Sequence, residues 1–147
     1  MTAQAQERSR NLKPEFTARI SAGFVTEGPA VTAGIRVNDK RTLGIWIGKG
    51  DTYIDSAPAN IHAVQTAAYT RRYVRLGSRD IVALYGEFLA GCGWIYRVDG
   101  NYQSGSDVVL YAGINTGIRL RIFRNVHLFL GPTLTTNTIG LHAGIGL

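Results

Sequence analysis

The side chains with the clearest potential for chemistry are three histidines, one central glutamate and several arginines. A hydrolase would need a nucleophile within reach of a histidine base, and a metal site would need ligands at a suitable spacing. No His-x-Ser pair or carboxylate cluster accompanies His62, His127 or His142, and their spacing fits no recognisable metal site. We therefore expect no catalytic residue, no metal and no cofactor, and we interpret these histidines as hydrogen-bonding side chains.

Glu87 and the arginines indicate a different chemistry, that of paired charges in a confined polar interior. An unpaired charge there is costly, so Glu87 should form charge-assisted hydrogen bonds with one or more arginines. A gate that passes ions is the functional alternative to a polar plug, and the plug is the favoured interpretation. The candidate polar network comprises Arg19, Arg36, Tyr85, Glu87, Tyr111, Asn115, Arg119, Arg121, His127 and His142.

The segment DVVLYAGINTGIRLRIF, residues 107–123, shows the element that must position these side chains. Its even positions are apolar apart from Thr116, whereas its odd positions are mostly polar or glycine, and a period of two predicts a β-strand. No segment shows a convincing helical stripe. Eight strands are predicted, over 16–24, 30–37, 41–49, 61–76, 80–96, 107–123, 126–135 and 138–147. Residues 1–15 are expected to be a flexible lead-in, followed by a single domain over 16–147.

The connections between these strands alternate in length. NDK, GSR and RN are short turns, whereas DTYIDSAPAN and RVDGNYQSGS are long. Short turns at one end and longer loops at the other are typical of up-and-down outer-membrane barrels. The long loops are candidate docking surfaces through Asp51, Tyr53, Asp55, Asp99, Asn101, Tyr102 and Asp107.

The composition of the two strand faces indicates which solvent each face meets. The polar face is mainly glycine with isolated Arg, Glu, Asn and His, which suits the narrow lumen of an eight-stranded barrel better than a water-exposed surface. Aromatic residues near the strand ends resemble the two interfacial girdles of a membrane barrel. The girdle is predicted to comprise Phe16, Tyr69 and Tyr73 near the turns, and Phe24, Trp94 and Tyr96 near the loops. The sequence thus predicts an all-β, eight-stranded antiparallel up-and-down transmembrane β-barrel, with the fourth strand least clearly sided.

Composition excludes several other classes of protein. The 147 residues suit one domain, and no apolar run reaches the length of a spanning helix. The net charge is +6, but the basic residues form no run, so we expect no nucleic-acid partner. Cys92 is the single cysteine, so no intrachain disulfide is possible. Ala3-Gln4-Ala5 is similar to the end of a secretory signal, which suggests a signal remnant in residues 1–5.

Three segments resemble a known group of proteins: TRRYVRLGSRDIVALYGEFLAGCGW, AGINTGIRLRIFRNVHLFLG and GLHAGIGL. They are similar to small outer-membrane β-barrel proteins of the Bacteroidota type, OmpA/OmpX-like barrels, over residues 61–147. The resemblance implies the barrel fold and a bacterial outer-membrane location, and it carries no catalytic residue. Such chains usually end on an aromatic residue, whereas this one ends at Leu147, so we expect a residue or two to be missing.

The function predicted from the sequence is passive. The barrel, with its plugged lumen, would be a structural, accessory or docking component of a cell-surface complex. Its expected partners are outer-membrane lipid or lipopolysaccharide and another outer-membrane or surface protein. Two alternatives stay open at this stage. One is a soluble calycin-like barrel binding a hydrophobic ligand, since Gly44-Ile45-Trp46 is similar to the G-x-W of lipocalins. The other is a small-solute pore, which the strand number disfavours.

Overall fold

The eight predicted strands close into one antiparallel barrel. The computed structural model describes residues 12–23, 28–52, 60–78, 80–99, 102–136 and 139–147. The strands are β1 (Lys13–Gly23), β2 (Gly28–Asn38), β3 (Arg41–Thr52), β4 (Asn60–Leu76), β5 (Val82–Asp99), β6 (Tyr102–Arg121), β7 (His127–Thr135) and β8 (Ile139–Gly146). Each strand pairs with the next, and β8 pairs with β1, which confirms the predicted fold class. Among the described residues there is no helix long and apolar enough to cross a membrane.

The two ends of the barrel differ in their connections. We call the end with the β2–β3, β4–β5 and β6–β7 turns the turn end, and it also holds Lys13 and Leu147. Gly77, in the β4–β5 turn, has a φ of 92°, a left-handed conformation that glycine adopts without steric cost. The opposite end is the loop end.

Two predicted boundaries are wrong. β1 begins at Lys13, so Glu15 belongs to the barrel wall and not to the predicted lead-in of residues 1–15. The segment predicted as a long loop, RVDGNYQSGS, is mostly strand, because β5 and β6 stay paired up to Asp99 and Tyr102.

The height of the wall is uneven at the loop end. β6 pairs with β7 only from Gly113 to Arg121, whereas it pairs with β5 along its whole length from Tyr102. β3 likewise continues to pair with β4 as far as Thr52, beyond its last paired position with β2 at Gly48. Strands β3 to β6 therefore rise above the rest of the barrel at this end.

Apolar side chains cover the outside of the barrel. Every second residue of most strands presents a large hydrophobic side chain outward, in agreement with the predicted alternation. Exposed examples on all eight strands are Phe16, Ile20, Val31, Ile35, Ile45, Ile47, Val64, Val74, Leu84, Phe88, Ile114, Ile118, Leu130, Leu134, Leu141 and Ile145. The buried side chains that point inward are instead rich in charged, hydroxyl and aromatic groups. The barrel is thus apolar outside and polar inside.

Candidate functional site: a charged network in the lumen

Glu87 lies at the centre of the lumen and has no solvent-exposed surface. Arg19 donates to both of its carboxylate oxygens, from Nη1 to Oε1 at 2.7 Å and from Nη2 to Oε2 at 3.0 Å. Arg71 donates from Nε to Oε2 at 2.7 Å, and Asn115 donates from Nδ2 to Oε1 at 2.8 Å. The carboxylate is therefore held by two guanidinium groups and one amide.

Arg71 connects Glu87 to a second buried carboxylate. Its Nη1 donates to Oε1 of Glu15 at 2.5 Å, and the Tyr73 hydroxyl donates to the same oxygen at 2.6 Å. Arg36 donates from Nη2 to Oε2 of Glu15 at 2.7 Å. The charges alternate in the order Arg19, Glu87, Arg71, Glu15, Arg36, and we refer to these five residues as the charged network.

Strand register positions the centre of this network. Arg71 on β4 is the direct cross-strand partner of Glu87 on β5, and Glu87 is the partner of Asn115 on β6. Arg19 and Glu15 reach the same carboxylate and guanidinium from β1, on the opposite wall. The narrow interior of an eight-stranded barrel makes such contacts across the lumen possible.

Aromatic rings enclose the guanidinium groups. The Cζ atom of Arg71 lies 5.0 Å from the ring centres of both Tyr69 and Phe129, and that of Arg19 lies 5.4 Å from Phe129. Arginine over an aromatic face is a favourable cation–π arrangement, more so away from water. Phe129 and Arg71 are among the largest fully buried side chains described. Charge pairing and aromatic packing together fill this part of the lumen.

A smaller ion pair extends the polar contacts at the turn end. Arg119 donates from Nη2 to Oδ1 of Asp80 at 2.7 Å, and its Cζ lies 4.6 Å from the ring centre of Tyr73. Arg75 approaches the same Asp80 oxygen at 3.4 Å. His127, at the start of β7, is half-buried beside this group.

Most of the predicted lumen residues lie where the sequence placed them. Eight of the ten are inside the barrel and in or beside the network: Arg19, Arg36, Tyr85, Glu87, Tyr111, Asn115, Arg119 and His142. His127 lies at the rim. The placement of Arg121 in the lumen is wrong, since it is exposed. Arg121 pairs with His127 at the last rung of β6 and β7, where the wall no longer encloses an inward side chain.

The sequence analysis missed two residues of the charged network, Glu15 and Arg71, and one residue that contacts it, Thr42. Glu15 precedes the predicted first strand, and Arg71 lies on the strand whose two faces are hardest to distinguish. Thr42, fully buried, donates to Glu15 at 3.2 Å. The signal that could have identified Arg71 is its strict spacing of two from Tyr69 and Tyr73.

Of the residues predicted for the aromatic girdle, three lie on the outer surface as expected, whereas the outward placement of two others is wrong. Phe16 and Trp94 are exposed on the outer surface, and Tyr96 packs against Trp94 with ring centres 5.4 Å apart. Tyr69 and Tyr73 instead point inward and are 3% and 2% exposed. Phe24 lies outside the described residues.

The inward position of Tyr69 has a steric reason. Neighbouring strands present glycines to its ring, and a Cβ atom on Gly44 would lie 2.8 Å from the Tyr69 Cε1 atom. A Cβ atom on Gly34 would clash with the Tyr69 hydroxyl. The glycines of the polar face therefore make room for lumenal aromatics, which the sequence analysis assigned to the outside.

The predicted docking residues belong largely to strands. Asp51, Asp99 and Tyr102 lie in β3, β5 and β6, so their assignment to loops is wrong, although their side chains lie outside the described part. Asp107 is also a strand residue, exposed on β6. Tyr53, Asp55 and Asn101 lie outside the described residues.

No metal site is found in the part of the chain that the structure describes. Within it, no group of three or more His, Cys, Asp or Glu side chains is placed to hold an ion. The two glutamates of the charged network face arginines and not each other. The arrangement can hold charges in place.

Comparison with known proteins identifies the fold. No family model matches the sequence, and no curated protein matches it significantly. Among solved structures, the barrel is similar to Neisserial surface protein A, with a TM-score of 0.66 and 14% sequence identity over 92% of this chain and 94% of that chain. It is also similar to the N-terminal β-barrel domain of OprF from Pseudomonas aeruginosa, with a TM-score of 0.61 and 16% identity over the same shares, 92% and 94%.

The chain thus shares the closed eight-stranded antiparallel fold of small outer-membrane β-barrels. An origin in the Bacteroidota stays a prediction from the sequence resemblance.

Proposed function

We propose that this protein is a bacterial outer-membrane β-barrel with a closed lumen, which serves as a structural or docking component at the cell surface. The observation that carries the proposal is the inverted distribution of polarity. The outer surface exposes Ile45, Phe88 and Leu141, whereas the interior buries Arg71 and Glu87. An apolar outer surface of this extent is unfavourable in water, whereas in a membrane barrel it faces the lipid chains.

The same observation argues against the soluble calycin-like alternative. A barrel that carries an apolar ligand needs an apolar cavity inside, lined mainly by hydrophobic side chains. Here the middle of the described barrel is occupied by the charged network, with Phe129 packed against it. The residues of the sequence motif Gly44-Ile45-Trp46 lie on β3, with Ile45 pointing outward.

Membrane residence is tested by refolding the chain in detergent and comparing boiled with unboiled samples on a gel. We expect a heat-dependent shift in mobility together with β-type circular dichroism. Ile45→Arg places a charge on the outer surface of the barrel. It should reduce the free energy of unfolding of the vesicle-inserted protein by about 2–4 kcal/mol if the residue lies near the bilayer midplane. Ile45→Leu is the matched control. A protein that is soluble and monomeric without detergent, and that tolerates Ile45→Arg, contradicts the proposal.

A closed lumen is the second part of the proposal and distinguishes it from a small-solute pore. It is supported by Arg71, Glu87 and Phe129, which are fully buried in the middle of the barrel and leave little space beside them. Planar bilayers containing the refolded protein should show negligible conductance. Steady open channels with the unmodified sequence would contradict closure while leaving membrane residence intact.

A docking role is supported by the wall that rises above the barrel at the loop end. The β5–β6 hairpin continues to Asp99 and Tyr102 on a rigid scaffold, a position that favours recognition of another surface protein. Replacing residues 97–106 by a short turn should keep the gel shift but remove a partner that is crosslinked to the intact protein in outer-membrane fractions. An unchanged set of crosslinked proteins contradicts this role, and recovery outside the outer-membrane fraction contradicts the location.

A further inference from the structure

Two arginines lie side by side on the outer surface of the barrel near the turn end. Arg41 on β3 and Arg72 on β4 are direct cross-strand partners. Both are exposed, and the alternation along each strand directs both outward, away from the charged network. Like charges directly opposite each other on one face of a sheet are destabilising. This arginine pair is therefore a place where a negatively charged group would be stabilising.

The carboxylates of the described residues do not supply that negative charge. No ion pair within the described part of the chain involves Arg41 or Arg72. Asp39, in the adjacent β2–β3 turn, approaches Arg75 at 3.5 Å. Arg41 donates from Nε to the Thr70 hydroxyl at 3.2 Å, which orients the guanidinium group and leaves its terminal nitrogens for another acceptor.

An open groove on the outer surface lies between the β2–β3 turn and β4. It is lined by Val37, Asp39, Lys40, Arg41, Arg72 and Val74, together with Asn38 and Tyr73. Its charged residues are three basic side chains and one acidic side chain, so the groove has a net positive charge. A positively charged groove favours a negatively charged occupant.

The outward residues next to the arginine pair are apolar. On β3, Leu43 and Ile45 follow Arg41 on the same face, and on β4, Val74 follows Arg72 toward the turn end; all three are exposed. A charged side chain on the lipid face of a barrel is costly, and the cost decreases toward the membrane interface. The order along β3, a positive charge followed by exposed aliphatic side chains, matches an anionic headgroup followed by an acyl chain.

We propose that this surface binds one anionic phospholipid. Its phosphate lies between Arg41 and Arg72, and an acyl chain lies along Leu43 and Ile45. Guanidinium groups bind phosphate oxygens through paired, charge-assisted hydrogen bonds. The short turns of outer-membrane barrels face the periplasm, so the lipid belongs to the periplasmic leaflet. The inference rests on the membrane location proposed above and names a lipid partner for it.

Native mass spectrometry of the detergent-refolded protein tests the preference for an anionic headgroup. Phosphatidylglycerol and phosphatidylcholine with the same acyl chains are added in equal amounts, so that the two lipids differ only in their headgroups. We expect one phosphatidylglycerol per chain to be retained in preference to phosphatidylcholine. Equal retention of the two lipids would mean an unselective lipid coat and overturn the proposal. A dimer without lipid would assign the surface to a second copy of the chain and also overturn it.

Two double variants locate the site. Arg41→Gln combined with Arg72→Gln should weaken phosphatidylglycerol binding by about thirtyfold, the factor that two basic side chains beside an anionic lipid contribute together. Arg121→Gln combined with Arg124→Gln removes the same charge from exposed positions at the same end of the barrel and should bind as the parent does. Equal weakening in both double variants would mean that only net charge matters, and it would overturn the assignment to Arg41 and Arg72.

Two further measurements separate the remaining outcomes. Inorganic phosphate in excess should not displace the lipid, because the acyl chain contributes to binding; displacement would mean a site for the free ion and overturn the lipid assignment. The heat-dependent gel shift reports folding of each variant and membrane residence of the parent. A parent that shows the shift but no preference for phosphatidylglycerol overturns the lipid site alone, whereas a parent that is soluble without detergent overturns both proposals.

Discussion

The two halves of the lumen are lined by different kinds of side chain. The turn-end half holds Glu15, Arg71 and Glu87, in which each carboxylate oxygen meets at least one guanidinium group. The loop-end half holds the stacked rings of Trp46 and Tyr111 and a cavity of about 30 Å³. One half is filled by paired charges, and the other is lined by aromatic rings beside open space.

This difference predicts that the two halves contribute unequally to the stability of the barrel. Removing one partner of a buried ion pair leaves an uncompensated charge, so the turn-end half should be intolerant of single changes. Aromatic stacking contributes less than a buried charge pair and leaves neighbouring groups satisfied when it is lost. We therefore expect mutations of equal size to have unequal effects in the two halves.

Glu87→Gln should produce the largest effect. The amide keeps the shape of the side chain but removes the charge that faces Arg19 and Arg71, and we expect a loss of about 3–5 kcal/mol in the free energy of unfolding. Urea unfolding of the vesicle-inserted barrel, followed by tryptophan fluorescence, measures it. Asp107→Asn makes the same chemical change at an exposed position on β6 and should cost no more than about 0.5 kcal/mol. Equal effects of the two variants would contradict the central role of Glu87.

The two lumenal residues Tyr111 and Asn115 were readable from the sequence because β6 alternates along most of its length, with Thr116 on the outer face as the exception. Tyr111 and Asn115 are polar or amphipathic, and their neighbours Leu110 and Ile114 are aliphatic, so the period of two assigns each side chain to the correct face. The eight-stranded fold followed from the same alternation repeated along the chain, combined with turn residues at regular intervals.

Tyr69, Arg71 and Glu15, which lie inside the barrel, were not readable, for two physical reasons. On β4, the inward row contains Ala67 and Tyr69 and the outward row contains Ala68 and Thr70, so hydrophobicity does not distinguish the faces. The glycines of neighbouring strands, which come together through register, leave the space that the Tyr69 ring occupies inside the barrel. Glu15 was missed because Lys13 and Pro14 interrupt any alternation before Phe16.

A comparison of the two terminal arginines should distinguish the buried end of the charged network, at Arg19, from its partly exposed end, at Arg36. Arg19→Met leaves Glu87 with Arg71 and Asn115, and Arg36→Met leaves Glu15 with Arg71 and Tyr73. We expect a cost of about 1.5–3 kcal/mol for Arg19→Met, because hydrogen bonds between charged groups are lost where water cannot replace them.

The cost of Arg36→Met should be about 1 kcal/mol or less, since its side chain is partly exposed and water partly replaces the lost contact. Both values come from the same urea titrations. If Arg36→Met proves the more costly variant, the solvent-exposed end of the network, and not its buried end, holds the barrel together.

Trp46→Phe should have the smallest effect of the series. The change keeps an aromatic ring against Tyr111, from which the indole is separated by 5.0 Å between ring centres, and removes part of the stacking contact. We expect a loss of about 0.5–1.5 kcal/mol, the range that aromatic pairs contribute beyond their buried area. Circular dichroism during urea unfolding measures it, because this variant lacks one of the two tryptophans. Phe129→Leu removes the aromatic ring that packs on Arg19 and Arg71, so it is the comparison variant in the turn-end half and should cost more. A loss of 3 kcal/mol or more for Trp46→Phe would show that the loop-end half carries as much of the stability as the charged network.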